Sequence, residues 1–306
     1  MTDRILEVAE SAARLHVRHA QLVVERDNGE EFTIPLEELA ALVIAHPRVQ
    51  MTQTVISGLA NSGGTVVICD DKHLPTAMLL PLQAHSTQTE RFARQAQISE
   101  PLRKRLWQQI VRSKVRAQSR LLLEIHGQDG GLGPMSARVR SGDTNNLEAQ
   151  AARIYWPLLF NDPKFRRGRE GPDQNQHLNY GYAVLRALVA RALCAAGLHP
   201  SLGLQHHNRY NPFCLAADLM EPFRPIVDRS VSLWVRDNDP TQPLDRNAKA
   251  WLLRPFTQRF VVENEARTIF DVLARTASEM AGVIMGKTKA LEIPDLPPPL
   301  DMNAAP

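Results

Sequence analysis

Two acidic side chains in the second half of the chain are spaced so that they could hold a divalent cation together. Asp218 and Glu221 are three residues apart, which places them on one face of a helix. Carboxylates that close repel each other unless a cation lies between them or one of them is protonated. Pro222 follows directly and predicts that Glu221 lies near a helix end. Taken alone, the pair is more typical of a solvated helix face, because acidic residues are mostly exposed.

Histidines and a third acid extend this candidate set. His206 and His207 lie in the polar segment GLQHHNRYNPF, which predicts a loop before the helix of Asp218, and a neutral imidazole is a common metal ligand. One exposed and one hydrogen-bonded histidine would explain that segment as well. Glu148, in NNLEAQAARIYW, lies beside the apolar stripe of a predicted helix, where neighbouring alanines leave room for an ion. An ordinary acid at a helix N-terminus is the alternative, and spacing alone does not join Glu148 to the other residues.

The elements that position these residues indicate an α+β fold, in which a small N-terminal mostly-β domain is joined to a larger all-α helical catalytic domain. Residues 1–85 form the first domain, because ARLHVRH and AQLVVER have strand patterns and Asp27-Asn28-Gly29 predicts a hairpin turn before EEFTIPL. Within this domain, LEELAALVIAHP and TQTVISGLANSGG predict short helices, and TVVICDD predicts a buried strand.

From residue 86 onward the pattern is helical. Residues 100–127 predict one long helix that Gly127 ends, and SGDTNNLEAQAARIYWPLLF predicts another, with Asp143 or Thr144 as its cap. LNYGYAVLRALVARALCAAGL and NEARTIFDVLARTASEMAGVIMG predict two further helices. We expect the catalytic domain over 86–293, followed by a proline-rich tail, 294–306, that is disordered.

Composition excludes several classes of protein. The chain has 306 residues, of which 43% are hydrophobic and 23% charged, and this predicts a packed globular core. Its three scattered cysteines argue against a disulfide framework. Because the chain also lacks a signal-peptide pattern and a long apolar run, the sequence predicts a cytoplasmic protein that does not contact a membrane.

The charge is divided unevenly along the chain. Residues 1–85 contain 6 basic and 11 acidic residues, whereas the remainder contains 30 basic and 22 acidic ones, so a polyanion such as DNA would be attracted to the second part. Two basic clusters are candidates for contacts with the DNA backbone, although such runs are often merely solvated. They comprise Arg103, Lys104, Arg105, Arg112, Lys114, Arg116 and Arg120 in the long helix, and Lys164, Arg166, Arg167 and Arg169 in a predicted loop.

Three segments resemble one known family. GLHPSLGLQHHNRYNPFCLAADLMEPFRPIVD is similar to the signature of the CRISPR-associated "Cas one" integrases, which has a GxxH histidine, an apolar helix of the form LaxDLmE, and then FRP and an acid. NNLEAQAARIYW resembles the first catalytic segment of the family, and LNYGYAVLRA resembles the helix between the two. The segments stand in the family's order over residues 140–230, and NPF and EPFRP look most like the type II branch.

The resemblance implies a site, a reaction and partners. Glu148, His206 and Glu221 match the metal ligands of the family. Asp218 matches an auxiliary acid, while His207, directly after the first histidine, departs from the pattern. Family members use Mg²⁺ or Mn²⁺ to join prespacer 3′-OH ends to the CRISPR repeat by transesterification. The N-terminal domain is then expected to form a homodimer, and two such dimers are expected to flank a dimer of the small "Cas two" subunit in a heterohexamer.

Two other functions remain open at this point. A structure-selective metal-dependent DNA nuclease could use the same residues without joining strands. A catalytically dead DNA-binding scaffold could share the fold, although an intact set of Glu148, His206 and Glu221 argues against it.

Overall fold

Eight short strands form two sheets among the described residues of the first part of the chain. A computed structural model describes residues 4–70, 75–81, 83–168, 171, 173–242 and 244–299. The strands are β1 (Arg4–Val8), β2 (Ala13–Arg18), β3 (Gln21–Arg26), β4 (Glu31–Pro35), β5 (Leu39–Ile44), β6 (Gln50–Met51), β7 (Thr65–Cys69) and β8 (Pro75–Leu79). The helix α1 (Gln53–Asn61) connects β6 to β7. One sheet has the order β4-β3-β2-β6 and the other the order β1-β5-β7-β8.

The predicted hairpin and α1 are confirmed, but the helix predicted from LEELAALVIAHP is wrong. β5 occupies Leu39–Ile44 of that segment and pairs in parallel with both β1 and β7. All six of its residues are buried, since the strand is covered on both faces. A strand in the middle of a parallel sheet is continuously apolar, and periodicity does not distinguish it from a buried helix.

Nine helices among the described residues build most of the second part. They are α2 (Gln88–Ala96), α3 (Glu100–His126), α4 (Leu132–Ala137), α5 (Leu147–Leu159), α6 (Gln174–Ala195), α7 (Cys214–Met220), α8 (Arg224–Asp237), α9 (Arg246–Thr257) and α10 (Ile269–Ile284). The predicted long helix is confirmed as α3, and Gly127 ends it with a φ of 70°, a left-handed conformation that favours glycine. None of the helices in the described ranges is long and apolar enough to span a membrane.

The α+β fold class is confirmed, but the second part is not entirely helical. Strands β9 (Arg259–Val262) and β10 (Glu265–Thr268) form an antiparallel hairpin where the sequence predicted the start of a helix. The turn residues Glu263 and Asn264 have φ values of 52° and 67°. α10 begins only after this hairpin, where Thr268 and Asp271 form a capping box.

The core lies mainly around α6, and part of the chain after α10 packs against it. Leu291 and Ile293 are buried, and Leu296 contacts the same core. The disordered tail over 294–306 stays a prediction, since 294–299 are described with only Leu296 in contact with the core and 300–306 lie outside the described residues. The boundary near residue 85 stays a prediction, since α6 also packs against β7 and β8.

Candidate metal and nucleic-acid site

Glu148 lies in the first turn of α5, and a neighbouring carboxylate holds that turn in place. Asp143 accepts hydrogen bonds from the backbone N–H groups of Leu147 and Glu148 at 2.9 and 3.0 Å. Unpaired N–H groups at a helix start are commonly satisfied in this way. Asp143 was one of the two caps predicted from the sequence, and its contacts fix the backbone from which the Glu148 side chain extends.

Glu148 and Glu221 converge on a single positive charge, the ammonium of Lys114. The Lys114 Nζ lies 2.6 Å from Glu148 Oε1 and 2.6 Å from Glu221 Oε2. The Lys114 and Glu221 side chains are 9% and 7% exposed, while that of Glu148 is 27% exposed. The two carboxylates therefore share one cation at the edge of the protein interior, where water screens their charges only weakly.

Arg224 supplies a second cation to Glu221. Its Nη1 donates to both carboxylate oxygens, at 2.9 and 3.1 Å. Burial alone would raise the pKa of Glu221, but Arg224 and Lys114 outweigh it and lower this pKa to about 2. Burial likewise disfavours a charged Lys114, yet Glu221 and Glu148 raise its pKa above the usual value.

Asp218 positions His206 from a fully buried place on α7. Asp218 is 0% exposed, and its carboxylate accepts the backbone N–H groups of Leu204, Gln205 and His206 at 2.5 to 3.2 Å. Its Oδ1 also lies 2.6 Å from His206 Nδ1. That contact, working against burial, raises the pKa of His206, and the nearby Glu221 and Glu148 raise it further. Because Nδ1 is engaged, Nε2 is the ring nitrogen left to bind a ligand.

The loop before α7 needs glycine at one position. A Cβ at Gly203 would lie 2.4 Å from the carbonyl oxygen of His206 and 3.1 Å from the Asp218 carboxylate. Only a residue without a side chain allows this close approach. The neighbouring His207 is exposed, and it is His206 that contacts Asp218.

The structure brings the four predicted site residues into one region without forming a metal-binding geometry. Among the described residues, no group of three or more histidine, cysteine or acidic side chains is arranged to hold a metal ion. Lys114 lies between the two glutamates, and His206 is turned toward Asp218. Two carboxylates that converge on one cation nevertheless suit a divalent ion. The chemistry of these side chains is therefore compatible with the predicted ligands, and the ligand assignment stays a prediction.

Two cations of the site were not recognised from the sequence. Arg224 stands three residues after Glu221, and that helical spacing could have shown the pair. Lys114 was assigned to DNA binding, and nothing in the sequence connects it with Glu148, which is 34 residues away. Only the packing of α3 against α5 and the turn after α7 places it there.

The residues predicted to bind DNA have different surroundings. Lys114 is buried and Arg112 donates to the Val139 carbonyl at 2.9 and 3.1 Å, so the structure gives no support to DNA contacts by these two. Arg116 and Arg120 pair with Asp295, and Lys104 pairs with Glu100. Arg103 is half-buried, whereas Lys164 and Arg166 are exposed and Arg167 is half-buried. Arg169 lies outside the described residues.

A buried polar network lies directly behind Arg224. Asp228, the acid after the FRP motif, accepts hydrogen bonds from the hydroxyls of Tyr155, at 2.7 Å, and Tyr182. The Arg224 guanidinium lies 4.1 Å from the centre of the Tyr182 ring, and that of Arg167 lies 5.2 Å from it. Burial raises the pKa of Asp228 to about 6, although Arg224 opposes this. Arg224 therefore lies between this network, which it contacts through Tyr182, and the carboxylate of Glu221.

Comparisons with known proteins agree with the resemblance in the sequence. Residues 6–264 match the family model described as CRISPR associated protein Cas1. A CRISPR-associated endonuclease Cas1 of Neisseria meningitidis serogroup C (strain 8013) is 37% identical over 302 residues, which cover 97% of this chain and 98% of that protein.

Solved structures share the fold at lower identity. A Cas1 protein from Thermotoga maritima has a TM-score of 0.75 at 15% identity, covering 94% of this chain and 99% of its own. A casposase bound to an integration product has a TM-score of 0.75 at 19% identity, covering 95% and 93% of the two chains. With the family model matching most of its length and a relative that is more than one-third identical, this chain belongs to the Cas1 family of CRISPR-associated proteins.

Proposed function

We propose that this chain is a metal-dependent DNA integrase and endonuclease of CRISPR adaptation, which transfers prespacer 3′-OH ends into the CRISPR repeat by transesterification. The convergence of Glu148 and Glu221 on one cation, beside a histidine whose Nδ1 is held, carries this proposal. Membership of the Cas1 family supports it, as do structural relatives described as a casposase bound to an integration product and a Cas6-RT-Cas1–Cas2 complex.

Glu148, Glu221 and the Nε2 of His206 would hold the metal ion. Two carboxylates suit Mg²⁺, and the imidazole makes Mn²⁺ equally acceptable. When bound, the ion supplies activation of the attacking oxygen and charge stabilisation at the phosphate. Lys114 would have to leave its place between the carboxylates, whereas Arg224 can keep its contact with Glu221.

The remaining residues of the site prepare these ligands. Asp218 fixes the tautomer and direction of His206, as carboxylates next to metal-binding histidines commonly do. Arg224 keeps the Glu221 carboxylate ionised and pointed in one direction. In this proposal no protein side chain acts as the nucleophile, because the attacking oxygen is the 3′-hydroxyl of the DNA.

The proposed partners follow from the same family. These are prespacer DNA and the CRISPR repeat, a second copy of the chain in a homodimer, and the small Cas2 subunit in a heterohexamer. A chain of a Cas6-RT-Cas1–Cas2 complex matches 95% of this chain over 36% of its own length, with a TM-score of 0.74 at 21% identity. The 37% identity to the Neisseria protein supports the type II branch that the NPF and EPFRP motifs suggested.

A strand-transfer assay tests the function. A labelled duplex with 3′-OH ends is incubated with repeat DNA, the Cas2 partner and Mn²⁺ or Mg²⁺. We expect joined product from the wild-type protein and none above background from Glu148→Gln or His206→Ala, while the exposed Arg48→Gln variant remains active. Cutting without joining would favour the nuclease, and DNA binding without either reaction would favour the scaffold. Full strand transfer by either site variant would show that the ligand assignment is wrong.

A further inference from the structure

The segment that follows α10, residues 291–299, lies along the surface of the long helix α3. It contains neither helix nor strand. The backbone N–H of Leu291 donates to the side-chain oxygen of Gln109 at 3.3 Å, and Asp295 pairs with Arg120. Gln109 and Arg120 are about three helical turns apart, so they lie on the same face of α3, separated by about 16 Å along its axis. The segment therefore follows a single face of α3, and we call residues 291–299 the strap.

Apolar side chains hold the strap, but its second half is loosely packed. Leu291 and Ile293 are buried, and Leu296 lies half-buried against the core. Residues 296–299 and the helices α3 and α8 line a cleft of about 230 Å³. Protein interiors contain few voids larger than a water molecule, so this half of the strap is not packed as a core segment is.

The strap brings an acid onto a strongly basic helix. Residues 99–120 contain seven basic residues and one acid, Glu100. The carboxylate of Asp295, 46% exposed, lies against Arg116 and Arg120, which are 50% and 38% exposed. A carboxylate makes the same kind of charge-assisted contact with a guanidinium group as a DNA phosphate does. The strap therefore occupies positions at which α3 could bind a phosphate.

The exposure of these ion pairs makes the strap displaceable. An exposed ion pair shifts an equilibrium by at most about fivefold, because water and salt screen the charges. Duplex DNA presents many phosphates, and its binding also gains from the release of condensed counterions, which an intramolecular carboxylate does not provide. The prolines of the strap restrict its conformations when it is free, so that its return to α3 costs less entropy.

We infer that the strap is an autoinhibitory contact, which covers Arg116 and Arg120 in the free protein and is displaced when the phosphate backbone of duplex DNA takes its place. The two arginines are thereby neutralised until a duplex also engages the rest of the basic surface. Such a contact lowers the affinity for nucleic acid that meets α3 alone. The inference rests on the proposed function in taking DNA as the ligand, but it requires no strand transfer.

Binding of a fluorescein-labelled blunt duplex to the full-length protein, measured by anisotropy, tests the competition. Asp295→Asn removes the carboxylate, and Leu296→Ser loosens the strap without changing any charge. We expect both variants to bind the duplex about three- to fivefold more tightly, the effect of one exposed ion pair. Glu292→Gln is the matched control, because it removes an equal charge from an exposed residue elsewhere in the strap, and it should leave the affinity unchanged.

Hydrogen exchange shows directly whether the strap leaves α3. The N–H of Leu291 donates to Gln109, and that of Glu292 donates to the Glu279 carboxylate at 3.1 Å. These contacts slow the exchange of both amides in the free protein. A saturating amount of the blunt duplex should speed the exchange of the strap, because displacement exposes its backbone to water.

Several results would overturn the inference. One is equal tightening by Glu292→Gln and Asp295→Asn, which would indicate an effect of net charge. Another is a gain from Asp295→Asn that persists in a protein carrying Arg116→Gln and Arg120→Gln, where the carboxylate has no guanidinium to cover. A third is unchanged or slower exchange of the strap with DNA bound, which would mean that the duplex leaves it in place.

The strap and the proposed function fail in different ways. Tighter duplex binding by Asp295→Asn and Leu296→Ser, in a protein that transfers no strands, would reject the proposed function and retain the strap. Strand transfer by the wild-type protein, with duplex binding unchanged in both variants, would reject only the strap.

Discussion

Replacing Lys114 with methionine tests the central arrangement of the site. The substitution keeps most of the buried volume but removes the ammonium that both glutamates contact at 2.6 Å. Glu221 then retains Arg224, whereas Glu148 loses the ion pair that the described residues give it. Two buried or half-buried carboxylates would face each other with one cation fewer.

The expected loss of stability follows from burial. Removing one partner of a buried ion pair costs about 3–5 kcal/mol. Because Arg224 still compensates Glu221 and Glu148 is 27% exposed, we expect a value near the lower end, about 3 kcal/mol in the free energy of unfolding. A divalent cation can then occupy the vacated place. At a concentration about a hundredfold above its dissociation constant, it would restore about 2.7 kcal/mol.

Urea unfolding of wild-type protein and Lys114→Met, each with and without Mn²⁺, measures both effects. Lys104→Met is the matched control on the same helix, since Lys104 pairs with Glu100 at the surface and should change stability little. The reasoning is refuted if Lys114→Met loses no more stability than Lys104→Met. It is also refuted if Mn²⁺ stabilises the Lys114→Met variant no more than the wild type, because the ammonium would then not compete with the ion.

Three further substitutions follow from the same contacts. Gly203→Ala places a Cβ 2.4 Å from the His206 carbonyl oxygen, so it should displace that loop and lower strand transfer more than tenfold while leaving helix content by circular dichroism unchanged. Asp228 has a folded-state pKa raised to about 6 from 3.8, so its contribution to stability is present below pH 3.8 and is lost as the pH rises through 6. Urea unfolding across this range should show the stability difference between wild type and Asp228→Asn shrinking with rising pH, and a constant difference would contradict the assignment. Asp295→Asn should release Arg120, raise DNA affinity and steepen the salt dependence by about one phosphate contact, and unchanged salt dependence would show that this arginine does not bind DNA.

Local signals in the sequence predicted the helices well. α3 begins at Glu100 and ends at His126 because proline and glutamate favour its first turn and Gly127 adopts a positive φ directly after it. Asp143 caps α5 as one of the two predicted candidates. These features depend on side chains and backbone groups within a few residues of one another, which a single sequence displays.

The errors arose where distant contacts decide the structure. β5 is apolar throughout because two parallel neighbours and both sheet faces cover it, and none of these neighbours adjoins it in sequence. The β9–β10 hairpin depends on Glu263 and Asn264 accepting positive φ, a conformation that glutamate disfavours. Leu296 contacts the core within the proline-rich segment for which the composition predicts a disordered tail.

The site also combines residues that local sequence motifs predict with one that only contacts between distant segments bring there. Motif resemblance predicted Glu148, His206, Asp218 and Glu221, and the structure places all four in one region. Resemblance gave no role to Lys114 at the site, because its position depends on how α3 crosses the start of α5. The charge balance of a buried site includes every cation that packing brings to it, and Lys114 lies outside the motif segments that were recognised in the sequence.

Lys114 lies between the proposed metal site and a cavity beside it, which Trp156 and Phe165 also line. It contacts both glutamates and also lines the neighbouring cavity. If a divalent cation displaces its ammonium from the carboxylates, the released charge can pair with a phosphate of the DNA substrate, although Lys114 makes no such contact while the glutamates hold it. Metal and DNA should then each strengthen the binding of the other by the same factor. Titration of Mn²⁺ into the wild-type protein, with and without substrate DNA, measures this coupling, and Lys114→Met should abolish it. Equal Mn²⁺ affinity with and without DNA would mean that the metal ion and the DNA bind independently.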